Sequence, residues 1–235
     1  MWMFIKSWEQ LPQNMKKEPV KDYYEQLSKK HFSLILKRMF DIFASTILLV
    51  LLSPVFVVLA IWIKLDSTGP VFYRQERITQ YGRVFRIFKF RTMVSNADQI
   101  GSLVTVGNDS RITKVGAKIR KCRLDEIPQL INIFLGDMSF VGTRPEVQKY
   151  VDAYSDEMMA TLLLPAGVTS LASITYKDED EILNSVVDTN HSVDEVYINC
   201  ILPEKMKLNL KEILCFSLWS DFKILINTVL KVMEK

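Results

Sequence analysis

Histidine, cysteine and glycine are all scarce in this chain. It has two histidines, three cysteines and eight glycines among 235 residues. The cysteines, Cys122, Cys200 and Cys215, are odd in number and lack the Cys-x-x-Cys spacing of zinc sites. These absences argue against a disulfide framework, a multi-histidine metal site and histidine-based catalysis. They fit a reducing, cytosolic environment.

A strong overall charge is absent too, since the formal net charge is only +3. Where the charges lie therefore matters more than their sum. No nucleic-acid partner is expected. No internal repeat or low-complexity tract is present, and the chain is long enough for one ordered domain with additions.

The longest uncharged run covers residues 42–63, between Asp41 and Lys64. As a helix, these 22 residues are long enough to cross the hydrocarbon core of a bilayer. Both flanks are basic, however. Residues 1–38 hold eight Lys or Arg against four acids, and residues 64–91 hold seven against two. By the positive-inside rule, both flanks are expected on the cytoplasmic side.

Ser53-Pro54 lies in the middle of this run, where proline removes a backbone hydrogen bond and favours a kink. A helix that turns back there reconciles the break with two cytoplasmic flanks, so we expect a re-entrant hairpin over residues 37–65. A straight span and a buried core helix of a soluble protein are the alternatives. Residues 1–36 then form a cytosolic or interfacial extension, and residues 66–235 form the cytosolic domain.

Two β-prone runs, Val71–Gln75 and Val84–Arg91, flank residues 79–82 and predict a β-hairpin. In the second run, Lys89 and Arg91 share one face. That face is either the polar side of a site or a basic surface for anionic lipid head groups. A loop is expected over residues 95–108.

A basic stretch ends in two adjacent carboxylates. Six Lys or Arg and no acid lie from Arg111 to Arg123, and Asp125 and Glu126 follow. Pro128 is tolerated in the first turn of a helix, which places Asp125 near a helix N-terminus. Such a terminus would keep the carboxylate ionised and receive a phosphate beside it. The structural alternative is an N-cap followed by a surface acid.

Residues 136–146 are expected to form a compact loop between helices, in which Arg144 is suited to a bidentate phosphate contact. The structural alternative for Arg144 is an ion pair with Asp137 or Glu146. Near the C-terminus, Ser220 is expected to cap an amphipathic helix that packs in the core or lies at a membrane interface.

Taken together, these segments resemble the bacterial sugar transferase family, the monotopic polyprenyl-phosphate phosphoglycosyl transferases, in minimal catalytic form. The matching motifs occur in order, at residues 37–41, 53–54, 69–72, 88–93, 109–116, 124–130, 136–139, 144–146 and 219–225. The resemblance implies an α+β, mainly α fold with a re-entrant membrane helix hairpin, a short β-hairpin and a helical catalytic unit with interfacial helices. It makes residues 66–235 the catalytic domain.

The resemblance also implies a reaction. A sugar phosphate passes from a UDP-sugar to undecaprenyl phosphate, with release of UMP, at the cytoplasmic face of the bacterial inner membrane. The family's nucleophile is the Asp of the Asp-Glu pair, here Asp125, and Glu126 would ligate Mg²⁺ together with diphosphate oxygens. Arg120 corresponds to the family's arginine five residues before the nucleophile. The implied substrate-binding residues are Arg144, Pro145, Lys89, Arg91 and Arg111.

The chain departs from the family pattern in two loops. Thr143 replaces the first proline of Pro-Arg-Pro. Residues 165–170 read Pro-Ala-Gly-Val-Thr-Ser, where many members have a basic residue followed by Pro-Gly-hydrophobic-Thr-Gly. A Mg²⁺-dependent diphosphatase and a non-catalytic membrane adaptor are the competing functions. Membrane lipid is an expected partner, and a homodimer stays open as the oligomeric state.

Overall fold

The computed structural model describes residues 5–97, 109–176 and 193–233; most of the loop expected over residues 95–108 lies outside these ranges. The helices are α1 (Glu18–Ser28), α2 (His31–Leu51), α3 (Ser53–Asp66), α4 (Lys114–Lys121), α5 (Gln129–Leu135), α6 (Gln148–Val151), α7 (Leu171–Thr175), α8 (Val193–Val196), α9 (Leu202–Leu214) and α10 (Leu218–Met233). The strands are β1 (Phe72–Ile78), β2 (Val84–Phe90), β3 (Met138–Val141) and β4 (Ala166–Thr169). The predicted α+β, mainly helical class is confirmed.

The uncharged run forms α2 and α3, which meet at a bend of 59°. Pro54 lies in the first turn of α3, where its missing N–H costs no helical hydrogen bond. The predicted break is therefore confirmed. Among the described residues, no helix alone is long and apolar enough to cross a bilayer, whereas the bent pair together has the length and composition. Many large apolar side chains of the pair are exposed, including Phe43, Val50, Leu51, Val57, Val58, Ile61 and Leu65.

Two buried charges of α2 hold strand β3. The Nζ of Lys37 donates to the carbonyl oxygen of Val141 at 2.9 Å and also pairs with the carboxylate of Asp221 on α10. One turn further along, Asp41 accepts from the backbone N–H of Phe140 at 3.1 Å. Because these groups are hidden from water, each needs its partner, and α2 is therefore fixed in register against β3.

A third buried charge of α2 holds helix α5. The Arg38 side chain donates to the carbonyl oxygens of Ile133 at 2.6 Å and Phe134 at 2.9 Å. Carbonyls in the last turn of a helix have no partner within that helix, and a cation there also interacts favourably with the helix dipole. Arg38 thus caps α5 from the side of the membrane segment.

Strands β1 and β2 form the predicted antiparallel hairpin, which is confirmed. Phe72 lies opposite Phe90, and Tyr73 lies opposite Lys89. The connection between the strands places Tyr81 at φ 60°, in the left-handed region. Residues directly opposite each other point to the same face, so Tyr73 and Lys89 project together from the hairpin.

Strands β3 and β4 form a small parallel sheet, with Met138 opposite Ala166 and Val141 opposite Thr169. The expectation of a loop throughout residues 136–146 is therefore wrong for its first half. The four-residue strand has little signal of its own, and its partner lies 28 residues away, so the pairing depends on tertiary context.

The largest core cluster joins the N-terminal segment to α9. Val20 and Leu27 of α1 are fully buried with Met15, against Leu163 and Ile213. Residues 5–34 thus contribute directly to the core of the domain.

The C-terminal helix α10 begins three residues earlier than expected. Its cap is Ser217, whose Oγ accepts from the backbone N–H of Ser220 at 3.0 Å, so the assignment of Ser220 as the cap is wrong. The helix leaves a row of apolar side chains exposed, namely Trp219, Phe222, Ile226, Val229 and Leu230. The opposite side of the helix is buried at Asp221 and Ile224, so α10 packs on the domain, and its interfacial position stays a prediction.

Replacing Arg38 should destabilise the fold strongly. Arg38→Met keeps much of the side-chain volume but leaves two helix carbonyls without their donor, and we expect a loss of about 2–3 kcal/mol. Arg86→Met is the matched control, because the Arg86 side chain is 64% exposed and pairs with Glu76 at the surface. The control should change stability by less than about 1 kcal/mol. Chemical unfolding of detergent-solubilised protein measures both, and equal losses would contradict the assigned role.

Candidate active site

The Asp125-Glu126 pair lies in a tight turn between two helices. Helix α4 ends where Arg123 adopts a left-handed conformation with φ 52°, and Leu124–Glu126 then form one 3₁₀ turn. Pro128 directly precedes α5. Asp125 therefore does not cap α5, and that structural alternative is wrong: three more residues, 126–128, lie between Asp125 and the start of the helix.

A cavity of about 440 Å³ opens beside this turn. Among the residues that the structure describes, its lining contains one acidic residue, Asp125. Six basic residues also belong to the lining, Arg74, Arg77, Lys89, Arg91, Arg111 and Arg120. The guanidinium of Arg74 stacks on the Phe88 ring at 3.7 Å, on the hairpin face opposite to Lys89. A concave site with this balance attracts an anion carrying more than one charge, such as a diphosphate.

Asp125 and Glu126 are shifted in opposite directions. Burial raises the pKa of Asp125, the negative charge of Glu126 raises it further, and Lys89 and Arg120 oppose the change. Burial would also raise the pKa of Glu126, but Arg144 and Lys89 outweigh it and hold that pKa well below its usual value. Glu126 is thus a fixed negative charge, whereas Asp125 is a poorly solvated carboxylate facing the cavity.

Glu126 links the hairpin to the loop after β3. Its Oε1 accepts from the Nζ of Lys89 at 2.8 Å and from a guanidinium nitrogen of Arg144 at 2.8 Å. The proposed ion pair of Arg144 with Asp137 or Glu146 is therefore wrong, because its carboxylate partner is Glu126. Asp137 pairs instead with Arg83. Arg144 and Glu126 do not belong to the cavity lining, whereas Lys89, which contacts Glu126, does.

Arg91 and Arg111 line the cavity with their guanidinium groups already engaged. Arg91 donates to the carbonyl oxygens of Thr68 at 2.8 Å and Ser67 at 2.7 Å, just after α3. Arg111 pairs with Asp109 at 2.6 Å. Their substrate-binding roles stay predictions, and the contacts show that both also fix the cavity wall.

Strand β1 contributes side chains that the sequence reasoning missed. Tyr73, Gln75 and Arg77 all line the cavity. Gln75 Oε1 accepts from two nitrogens of Arg77, at 3.0 and 2.6 Å. The signal was present in the alternation of the strand, since residues 73, 75 and 77 share the face on which Lys89 projects.

Arg77 also anchors the segment that carries Arg144. Arg77 donates to the carbonyl oxygen of Pro145 at 3.1 Å. Pro145, a predicted substrate-binding residue, is thus contacted through its backbone. The next residue, Glu146, is buried and accepts from the Tyr197 hydroxyl at 2.6 Å. The Arg144–Glu146 segment is thus held from both the hairpin and the turn before α9.

The two departures from the family pattern meet in the small parallel sheet. The Thr143 carbonyl accepts from the Gly167 N–H at 2.8 Å, which fixes the chain beside Arg144 without a preceding proline. Gly142 and Gly167 pack backbone to backbone, and a Cβ on Gly167 would lie 2.1 Å from the Gly142 nitrogen. Ser170 caps α7 through a hydrogen bond from the Ser173 N–H at 3.0 Å.

The donor set suits magnesium only as an ion shared with a substrate. No cluster of three or more His, Cys, Asp or Glu side chains occurs in the described parts of the chain. Mg²⁺ is often held by one or two carboxylates together with phosphates and water, and Asp125 and Glu126 can supply such ligands. Both cationic partners of Glu126 contact the same oxygen, Oε1.

The ion pairs of Glu126 predict a pH-dependent effect on stability. Because its folded-state pKa is lowered, they stabilise the fold above the unfolded value of about 4.3 and are lost as the pH falls through the folded-state pKa. Glu126→Gln should cost about 2–3 kcal/mol at pH 7 and progressively less below about pH 4. Unfolding midpoints across this range measure the difference; a constant difference would contradict it.

Comparison with known proteins places the chain in a family. Residues 32–235 match the sequence model described as "Bacterial sugar transferase". A UDP-N-acetylgalactosamine-undecaprenyl-phosphate N-acetylgalactosaminephosphotransferase of Aeromonas hydrophila is 35% identical over 83% of this chain and 43% of its own length. A UDP-glucose:undecaprenyl-phosphate glucose-1-phosphate transferase of Klebsiella pneumoniae is 32% identical over 85% and 40%.

A third relative is shorter. A putative undecaprenyl-phosphate N-acetylgalactosaminyl 1-phosphate transferase of Bacillus subtilis is 38% identical over 53% of this chain and 70% of its own length. Against the two longer relatives, the alignment spans about two fifths of their length. Since the family model covers most of its residues, the chain belongs to the bacterial sugar transferase family.

Proposed function

We propose that this protein transfers a sugar 1-phosphate from a UDP-sugar to undecaprenyl phosphate and releases UMP. The observation that carries the proposal is the cavity whose described lining holds six basic residues and one carboxylate, that of Asp125. A diphosphate bound among these cations would bring its phosphorus atoms close to that carboxylate. The relatives described above are undecaprenyl-phosphate sugar phosphotransferases, which supports the same reaction class.

In the first step, an oxygen of Asp125 attacks the phosphorus that bears the sugar. The bond from this phosphorus to the oxygen bridging the two phosphates breaks, and UMP leaves with the electron pair. An aspartyl phosphosugar remains on the enzyme. The Asp125 carboxylate is poorly solvated, which makes it a better nucleophile. Lys89 and Arg120 favour the ionised form that attacks.

In the second step, a phosphate oxygen of the polyprenyl phosphate attacks the same phosphorus. The bond to Asp125 breaks, the carboxylate is regenerated, and the product is a polyprenyl diphosphate sugar. The cations of the cavity stabilise the charge that develops on the phosphoryl oxygens in both steps. Glu126, fixed by Lys89 and Arg144, holds the turn that presents Asp125.

Magnesium would be held by Glu126 and diphosphate oxygens, and when bound it would neutralise phosphate charge. Arg144 and Lys89, which already contact Glu126, then also set the position of this ligand. UDP-sugar, polyprenyl phosphate and Mg²⁺ are accordingly the proposed substrates and cofactor.

The bent pair α2–α3 supports a location at the cytoplasmic face of the bacterial inner membrane. Its exposed apolar side chains suit the hydrocarbon core of a bilayer, and the bend suits a segment that enters and leaves the bilayer from one side. The basic flanks counted in the sequence favour the same side for both ends.

Removing the proposed nucleophile should abolish turnover. Asp125→Asn should lower UMP release from UDP-sugar and undecaprenyl phosphate by at least about 10³-fold, and Glu126→Gln should also abolish it. Asp156→Asn is the matched control, because that side chain is 60% exposed. In the wild type, UMP release should decline on acidification at a pH above the usual aspartate pKa.

Trapping separates the covalent route from its rivals. With UDP-sugar labelled at the phosphate next to the sugar and no acceptor, the wild type should retain label and Asp125→Asn should not. Turnover that needs the lipid acceptor but traps no label would favour direct attack by the lipid phosphate. Hydrolysis without an acceptor would favour a diphosphatase, and unchanged cellular function in Asp125→Ala would favour a membrane adaptor.

Membrane topology is a separate prediction. A reporter fused before α2 and one fused after α10 should both report a cytoplasmic location. The break at Ser53-Pro54 is expected to turn the helix back to the cytoplasmic side. Pro54→Ala should therefore favour a straight helix and place the two reporters on opposite sides of the membrane in part of the population. Opposite locations in the wild type would contradict the re-entrant arrangement.

A further inference from the structure

Helix α4 presents three different faces. Val115 and Ile119 are buried against α3. Arg120, about 120° away around the helix, lines the active-site cavity. The third face carries the exposed side chains of Lys114, Lys118 and Lys121, which lie within about 60° of one another.

This third face has no function in the proposed reaction. It points away from both the core and the cavity, and the sequence offers it no acid between Arg111 and Arg123. The nearby Asp66 accepts from the backbone N–H of Val115 at 3.0 Å at the start of α4, and its charge also interacts with Lys114, the first lysine of this face. Three exposed like charges along one short helix repel one another, so they gain from a concentrated negative partner.

The neighbouring surface indicates what that partner is. The Nζ of Lys118 lies 5.5 Å from the ring centre of Trp62 on α3. Beside Trp62, the same helix exposes Val58, Ile61 and Leu65, the last at 81%. Tryptophan is enriched at the boundary between hydrocarbon and water, and lysine with its long stem reaches the head groups from there.

We infer that Lys114, Lys118 and Lys121 form a lysine ridge that binds the head groups of anionic phospholipids beside α3. The inference rests on the proposed seating of α2 and α3 in the bilayer. Each lysine near a negatively charged surface strengthens binding about fivefold, and salt screens the effect. The ridge would therefore place anionic lipid beside the cavity. It would also hold α4, which carries Arg120, at a fixed distance from the membrane surface.

Cys122 gives a local probe, because it is exposed and follows Lys121 directly. In a Cys200→Ser, Cys215→Ser background, a fluorophore on Cys122 is placed in lipid nanodiscs that hold the full chain. Quenchers are phosphatidylglycerol or phosphatidylcholine with a spin label on the head group. The quantity measured is the mole fraction of each lipid that gives half-maximal quenching, and no sugar donor is present.

For the parent chain, we expect the mole fraction of phosphatidylglycerol that gives half-maximal quenching to be at least about fivefold lower than the corresponding mole fraction of phosphatidylcholine. High salt should remove this preference. Converting all three ridge lysines to Gln should bring the ratio close to one, whereas converting all three to Arg should preserve it. The charge-matched control replaces three exposed lysines of α1 and α9 by Gln, at Lys21, Lys207 and Lys211, and should behave as the parent.

Several results would overturn the inference. These are an unchanged ratio in the Gln variant, an equal loss in the control, or a label that neither lipid quenches. If the triple Gln variant does not fold, Lys118→Gln alone should still lower the ratio several-fold, and no change there would have the same meaning. Since the readout needs no turnover, a failed reaction proposal leaves it intact. Failure of the chain to enter nanodiscs made of phosphatidylcholine alone would instead remove the membrane seating on which the ridge depends.

Discussion

The active site depends on one turn of α2, where three buried charges tie the membrane-facing segment to the rest of the domain. Lys37 and Asp41 bond to the backbone of β3, and Arg38 bonds to the end of α5. Strand β3 leads into Arg144, and α5 follows directly from the Asp125-Glu126 turn. Both halves of the Glu126–Arg144 ion pair are therefore positioned from the same helix. Because buried charges without partners are very costly, this attachment has few alternatives.

The chemistry of the site follows from placing two neighbouring carboxylates in different surroundings. Glu126 has two cationic partners at 2.8 Å and keeps its charge, whereas Asp125 faces the cavity and is destabilised as an anion by burial and by Glu126. Lys89 acts on both carboxylates, because it helps to lower the pKa of Glu126 and also limits how far the pKa of Asp125 rises. A poorly solvated carboxylate thus lies beside one whose charge is fixed.

Local patterns predicted much of this arrangement. The alternation of Val84–Arg91 with a turn before it was sufficient for the hairpin, and proline at position 54 was sufficient for the bend. The site was only partly predictable. Arg144 pairs with Glu126, which lies 18 residues away, and not with the nearby acids that the sequence suggested. Spacing along the chain indicates which residues are neighbours within one helix or strand, but it does not indicate contacts between different elements. Strand β3 was missed for the same reason. Arg77 was overlooked although its position on the strand face was readable, because a strand residue has no motif to mark it.

The contact between Gly142 and Gly167 restricts how the segments around β3 and β4 can vary. A Cβ on Gly167 would lie 2.1–2.5 Å from three backbone atoms of Gly142, and a Cβ on Gly142 would lie 2.8 Å from the carbonyl oxygen of Pro165. A side chain at Gly167 would therefore have to separate β4 from the end of β3. Substitutions in this region are directed to the flanking positions, and Thr143 and Ala166 are direct neighbours of these glycines. Sequence change beside Arg144 must therefore leave the approach of Gly167 to Gly142 intact.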